Sequence, residues 1–428
     1  MDGGFRLTYS TMFDPPPELH RRFEAALEAT RARLGRDLPM WIDGKEHGAA
    51  SAFEVRSPID TSLLLARFPA GGAAEAARAV AAARAAFPAW ARTPWQERVK
   101  RLRRAAALIE ERVYEIGAAV ALEVGKNRME SLGEVQETAD LIAWYCDRME
   151  AEGGFVRELP DDPLPGFASR NRTVLKPWGA WVVIAPFNFP FALAGGPVGA
   201  ALVAGNTVVF KTASVTAWSG WLLLECLRDA GLPDGVVNYV TGAGGEAGAA
   251  LVGAEGVGGI TFTGSYEVGM GIVRAVAAGP WPRPCIAEMG GKNAAIVSRK
   301  GNIADAALGV MRSAFGLSGQ KCSACSRVYV EQTVFGDFVL ALHAATAKIA
   351  VGDPTQRANW MGPVIDAAAV ARFEDAVAQV QSLDDRGAII HGGERLDQGD
   401  LALGRNEGPH RLKAVAFLIT ELPALPHR

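Results

Sequence analysis

The sequence predicts an α/β protein. A doubly wound, largely parallel sheet is followed by a second α/β domain, and a short exposed strand segment precedes the sheet. Three observations carry this. Short apolar runs, each ended by a turn or a small residue, recur from Ala180 onward as "AWVVIAP", "NTVVFK", "GVVNYVTG" and "GGITFTG". Helical stretches such as "SGWLLLECLRDAG" lie between them, and the runs lack the strict alternation of a sheet with one wet face. After Pro284 the pattern restarts with "CIAEMGG", "NAAIVS" and a helix "DAALGVMRSAFGL".

Taken in order, residues 1 to 60 read as irregular apart from a short strand around "MWIDG". The alanine-rich "GGAAEAARAVAAARAAFPAW" reads as a helix. Next, Leu102, Ala106, Ile109, Val113, Ile116 and Val120 recur at steps of four and three, the stripe of an amphipathic helix. A third helix is expected from about Glu130 to Ala151. "ELPDDPLPGF" is a Pro- and Asp-rich connector, and "SRNRTVLKPWG" reads as an exposed strand. The resulting boundaries are 1–152, a connector and strand over 153–178, the parallel sheet over 179–283 and the second domain over 284–428; no internal repeat is visible.

The bulk numbers exclude several classes. A formal net charge of −3 gives no general attraction to nucleic acid or anionic membrane. No stretch has the roughly 18 uninterrupted apolar residues of a membrane span. The N-terminus lacks the basic-then-apolar order of a secretory signal. Five scattered cysteines, at 146, 226, 285, 322 and 325, favour a reducing compartment over a disulfide framework, so a cytoplasmic location is expected.

Ligands of such sheets sit beyond the carboxyl ends of the strands. Those ends carry Asn188, Lys211, Gly242 and Ser265. "VTGAGGEAG" follows a strand and opens a helix, so its backbone N–H groups could cradle a phosphate or form a plain glycine turn. Lys211 is either a solvated strand terminus or a donor to a ribose or phosphate. Asn188 in "APFNFP" could simply cap a turn, and Glu288 in "AEMGGKN" could simply accept loop hydrogen bonds. Cys322 and Cys325 form a CxxC that suits a redox disulfide, half of a zinc site, or a lone nucleophile. The six histidines show no metal-like spacing and no second CxxC exists, so no metal is expected.

The order and spacing of "APFNFP", "GNTVVFK", "FTGS", "EMGGKN" and "GQKCSACSR" together resemble the aldehyde dehydrogenase superfamily. The resemblance runs from about residue 40 to the C-terminus. Within it, "GQKCSACSR", "FTGSYEVG" and "GGKN" are most similar to the L-glutamate γ-semialdehyde (pyrroline-5-carboxylate) dehydrogenases. This implies a Rossmann-like NAD-binding domain, an oligomerisation strand segment within 153–178 and a catalytic domain over 284–428. It implies Cys322 as nucleophile, Asn188 as oxyanion donor and Glu288 as base for deacylation. Cofactor contacts are implied at Ile184, Pro186, Lys211, Ser214, Gly244, Gly248, Thr263, Gly264 and Ser265. Phe189, Ser323 and Glu137 are implied around the aldehyde, and Lys321 is expected to help Cys322 electrostatically. The implied reaction is NAD-dependent oxidation of a small aldehyde in proline catabolism.

The pattern departs from the family at two places. Many NAD-preferring relatives carry a glutamate where this chain has Ser214, so NADP is expected to be tolerated. The "EEIFGP"-like segment that follows in the family is absent after "FLITELPALPHR", so a C-terminally truncated member is expected, with its homo-oligomer in doubt. Such a chain would bind cofactor poorly and turn over little. Oxidation of a different aldehyde, or an inactive fragment, are the competing expectations.

Overall fold

The computed structural model describes residues 7–8, 11, 15–166, 168–382, 389–396 and 411–413. The apolar run 415–420, expected as a strand edge, lies outside them. The chain divides into two compact units, each described by itself below. Unit 1 comprises 1–55, 64–123 and 131–289; unit 2 comprises 56–63, 124–130 and 290–428.

Unit 1 opens with a helix that the reading of residues 1 to 60 as irregular did not include: α1, Pro17–Arg31. Pro17 stands at its first turn, where the missing N–H costs nothing, and Leu19 and Phe23 bury one stripe. Strands β1 (Arg36–Asp37), β2 (Met40–Ile42), β3 (Lys45–His47), β4 (Ala52–Arg56) and β5 (Leu64–Pro69) follow. The alanine-rich segment is α2 (Ala73–Arg92). The long stripe breaks at Arg112 into α3 (Trp95–Glu111) and α4 (Val113–Val124), and the third helix is α5 (Arg128–Ala151).

Next come an exposed antiparallel hairpin, β6 (Val156–Leu159) with β7 (Asn171–Val174), and then the parallel strands. These are β8 (Ala180–Ile184), β9 (Thr207–Lys211), β10 (Val237–Tyr239), β11 (Val257–Thr263) and β12 (Cys285–Glu288). Helices α6 (Ala192–Val203), α7 (Ala217–Asp229), α8 (Ala249–Gly253) and α9 (Tyr266–Ala277) alternate with them. The sheet order is β12-β11-β8-β9-β10-β2-β3, with β2 and β3 antiparallel at one edge. The strand at Cys285–Glu288, expected to open the second domain, instead pairs in parallel with β11 from Ile260↔Cys285 to Thr263↔Glu288. Ladder hydrogen bonds, rather than the break in sequence texture at Pro284, decide its membership.

Both sheet faces are covered, which explains the near-continuous apolar runs. On one face, Ala76, Ala79, Val80 and Ala83 of α2 cluster with Val182, Val209 and Ile260. On the other, Phe210 and Tyr239 stack at 4.7 Å, and the Tyr239 hydroxyl donates to the Ala217 carbonyl of α7 at 2.6 Å. The fold is the doubly wound α/β class expected.

Unit 2 is a smaller α/β body. Strands β13 (Asn293–Val297) and β14 (Cys325–Val330) run parallel, joined through α10 (Ile303–Phe315). Helices α11 (Phe335–Thr346) and α12 (Ala367–Gln381) follow, then β15 (Glu394–Leu396) paired with β16 (Arg411–Lys413). Val297, Val310, Met311, Phe315, Phe338 and Leu342 form its core.

Candidate active site

Unit 1 gathers most of the expected cofactor residues at the carboxyl ends of adjacent strands. Ile184 ends β8 opposite Lys211 of β9 on one side and Phe262 of β11 on the other. Thr263 ends β11 opposite Glu288 of β12. Lys211 is 2% exposed, and its Nζ donates to the Thr212 carbonyl at 3.0 Å. Burial disfavours its charged form and lowers its pKa to about 8. Lys211 is therefore a buried group at the strand end, and the solvated-terminus alternative does not hold.

Ser214 lies in the turn after β9, and its hydroxyl donates to the Gly242 carbonyl at 2.8 Å. Gly244 and Gly248 bracket a single wide helical turn that leads into α8. A Cβ at either would meet nothing within 4 Å, so the backbone there faces open space that a phosphate could occupy. Ser265 is the N-cap of α9, its side chain accepting from the Val268 N–H at 3.4 Å. Gly264 donates its N–H to the Glu288 carbonyl at 3.0 Å, tying the two turns together. A Cβ on Gly264 would lie 2.5 Å from the Phe262 ring, so no larger residue fits without displacing that ring. Glu288 itself is exposed, its side chain reachable by solvent.

Pro186, Asn188 and Phe189 occupy the half-buried turn between β8 and α6, where Asn188 Oδ1 accepts from the Phe189 N–H at 3.1 Å. Glu137 sits half-buried on α5. The sequence reading missed Glu134, one turn earlier on that helix and fully buried. Its carboxylate accepts from the N–H groups of Phe191 and Ala192 at 2.9 and 3.2 Å and caps the start of α6. Glu123 does the same for α7, accepting from Trp218 N–H at 2.7 Å and Ser219 N–H at 2.9 Å. Full burial pushes the Glu123 carboxyl up to about 8, against the pull of these donors.

Unit 2 carries Cys322 and Ser323, both exposed, at the centre of a turn that Ala324 N–H closes onto the Lys321 carbonyl at 3.2 Å. All five cysteines are free thiols, so the CxxC is not a disulfide; Cys325 opens β14 and its Sγ contacts the Arg327 carbonyl at 3.2 Å. Lys321 Nζ forms an ion pair with Glu130 at 2.7 Å, both largely buried, so a carboxylate engages the charge expected to assist Cys322.

The approach to the turn is strained. Leu317 and Ser318 adopt φ of 50° and 55°, a left-handed region that costs non-glycine residues about 1–3 kcal/mol each. Their neighbours hold them there: Ser318 Oγ donates to the Gly362 carbonyl at 2.8 Å, and Gln320 Oε1 accepts from Ile365 N–H at 3.0 Å. Among the described residues no group of three or more His, Cys, Asp or Glu is arranged to hold a metal.

Comparison with known proteins identifies the family. The aldehyde dehydrogenase family model matches residues 41–407. The 1-pyrroline-5-carboxylate dehydrogenase of Geobacillus thermodenitrificans (strain NG80-2) is 37% identical over 380 residues, which are 88% of this chain and 72% of that one. The 1-pyrroline-5-carboxylate dehydrogenase 1 of Halalkalibacterium halodurans is 36% identical over 389 residues, 90% and 73% of the two chains. Among solved structures, a Thermus 1-pyrroline-5-carboxylate dehydrogenase with bound NAD superposes with a TM-score of 0.86 at 32% identity, covering 96% of this chain and 77% of that one. Proline utilization A from Bdellovibrio bacteriovorus superposes at 0.82 and 32% identity, where this chain spans only 38% of the other. With a family match over most of its length, the chain belongs to the aldehyde dehydrogenase family.

Proposed function

We propose that this protein oxidises L-glutamate γ-semialdehyde to L-glutamate with NAD, using Cys322 as the nucleophile. The observation that carries the reading is the set of strand ends in unit 1, from Ile184 through Lys211 and Thr263 to Glu288, joined in one sequence to the exposed Cys322 turn. The identity of 35–37% to curated 1-pyrroline-5-carboxylate dehydrogenases supports this substrate over other aldehydes.

The residues of unit 1 fit NAD. The open backbone from Gly244 to Gly248 and the Ser265 turn suit a pyrophosphate, and the buried Lys211 suits the adenosine ribose. When bound, NAD supplies the hydride acceptor. The Cys322 thiolate adds to the aldehyde carbonyl, forming an S–C bond and an oxyanion. The Asn188 side-chain amide and the Cys322 N–H are the donors for that oxyanion, and loss of one such donor typically costs about 100- to 1,000-fold in turnover. Loss of hydride leaves a thioester on Cys322. Glu288 takes a proton from the water that hydrolyses it, so the carboxylic acid is released and Cys322 returns as the thiolate. Phe189, Ser323 and Glu137 are the residues assigned to the rest of the substrate, and Ser214 presents no carboxylate to exclude NADP.

The five free thiols support a reducing, cytoplasmic setting. No described helix is long and apolar enough to cross a membrane. The exposed hairpin, with Val156 and Leu159 on one strand and Val174 on the other, supports an oligomeric contact.

Cys322→Ala should abolish NADH formation from the semialdehyde while leaving NAD affinity intact, and Cys325→Ala should keep most activity. A dead Cys325→Ala variant beside an active Cys322→Ala would reject the assignment. Glu288→Gln should give a burst of NADH followed by slow turnover; equal loss of burst and steady state would argue against Glu288 as the deacylation base.

A further inference from the structure

We propose that Asn293 is the positioning residue for the nucleophile, an inference that rests on the reading of Cys322 given above. Asn293 opens β13, 29 residues before Cys322 in the chain, and its side-chain amide donates to the Cys322 carbonyl at 2.7 Å. The same Nδ2 reaches the Ala324 carbonyl at 3.4 Å. Two carbonyls facing one amide fix which end of the side chain meets them, because only the nitrogen can donate. The turn closed between Lys321 and Ala324 is therefore held at both Cys322 and Ala324 by a single group.

The strand pairing around Asn293 is built for this. Asn293 pairs with Cys325, but Ala294 pairs with Arg327, so Ser326 is an extra residue on β14. Such bulges re-aim neighbouring side chains and are frequent beside active sites. The Ser326 hydroxyl donates to the Asn293 carbonyl at 3.3 Å and holds the bulge against β13. Gly291 completes the fit: a Cβ there would lie 2.7 Å from the Cys322 carbonyl oxygen, the oxygen Asn293 holds. An exposed turn bearing a nucleophile would otherwise sample several orientations, and misplacement by about 1 Å can cost on the order of 100-fold in rate. Asn293 touches no reacting atom and acts through the peptide of Cys322.

The test uses the whole chain with glutamate γ-semialdehyde and NAD. Asn293→Asp keeps the shape and loses the donor; Asn293→Ala loses both; Asn293→Gln keeps a donor on a longer stem. The first two are expected to slow the NADH burst and kcat by about tenfold or more, with KM and NAD affinity within about twofold of wild type. Asn293→Gln should recover part of the burst rate. Hydrogen exchange of the peptide covering residues 320–326 should accelerate in Asn293→Asp and Asn293→Ala and stay unchanged elsewhere in unit 2. Burst rates within about threefold of wild type in both would overturn the inference. So would a parallel loss of NAD affinity, which would mark a general structural defect. A Cys322→Ala enzyme that kept its burst would instead sink the assignment of the nucleophile, so the two failures are distinguishable.

Discussion

Lys211 and Ser214, both proposed above as cofactor residues, lie in unlike surroundings, one buried and one half-buried. Burial holds the Lys211 pKa at about 8 against an ordinary value of 10.5, so the folded state binds its proton less tightly than the unfolded chain does. Below pH 8 both states are protonated and the penalty, on the order of 3 kcal/mol, is fully present. It fades as pH rises from 8 to 10.5 and is gone above that. Lys211→Met should therefore raise the melting temperature most below pH 8, with an advantage that shrinks through that window, while weakening NAD. Matched thermal melts across pH and a cofactor titration check both signs, and a destabilised variant at pH 7 would reject the account. Ser214→Glu should weaken NADP by about 1 kcal/mol more than NAD, since the site is only half-buried. Ser214→Ala is the control for the lost bond to Gly242, and equal weakening of both cofactors by Ser214→Glu would count against the charge argument. Lys211 and Cys322 were singled out only when the order and spacing of the five motifs were read together, since each alone admits a plainer reading as a strand end or a polar turn. Glu134 and Asn293 were not, because each acts on a segment 29 or more residues away, and only the fold brings them there.

Helices α6 and α7 show how elements borrow what their own sequences lack. Neither has a side-chain cap at its own N-terminus; Phe191 and Thr216 stand there without one. The exposed donors of a helix start need acceptors. Glu134 supplies one to α6 and Glu123, from α4, supplies one to α7. Each carboxyl group also lies at the positive end of the helix dipole. Glu134→Ala and Glu123→Ala should each destabilise unit 1 by about 1–3 kcal/mol, the cost of leaving buried N–H groups without acceptors. Chemical denaturation would show it, and a loss below about 0.5 kcal/mol in both would reject the capping account. The sequence conveyed α2, α5 and the parallel strands through period and punctuation. It hid α1, whose stripe is diluted by charged residues, and ran α3 and α4 together because the apolar stripe continues across the break at Arg112.

At the scale of the molecule, the two units interleave along the chain in a way the sequence does not show. Segments 56–63 and 124–130 belong to unit 2 although they lie far upstream of its main body. Stretches so short carry no periodic signature. Their importance is in side-chain contacts: Glu130 pairs with Lys321, Asn127 Nδ2 donates to the Trp360 carbonyl at 2.8 Å, and Arg128 Nη2 donates to the Thr355 carbonyl at 2.8 Å. A fragment of residues 290–428 would leave those acceptors and the buried Lys321 without their partners. It should show no cooperative melting transition by circular dichroism. A cooperative melt of that fragment near the temperature of the whole chain would show these upstream segments to be dispensable.

The same interleaving has a consequence for how the protein is made. On the ribosome, residues 124–130 emerge before all of residues 131–289, and their partners in unit 2 emerge later still. At about 5–20 residues per second, buried Lys126 and Arg128 wait roughly 10–50 seconds for the partners of their segment, which lie 191 to 233 residues further along the chain. The edge strand β12, the last of the unit 1 sheet to be made, appears within that interval. The strands of the unit 1 sheet are therefore all available in the emerging chain before the segments of unit 2 that pair with residues 124–130.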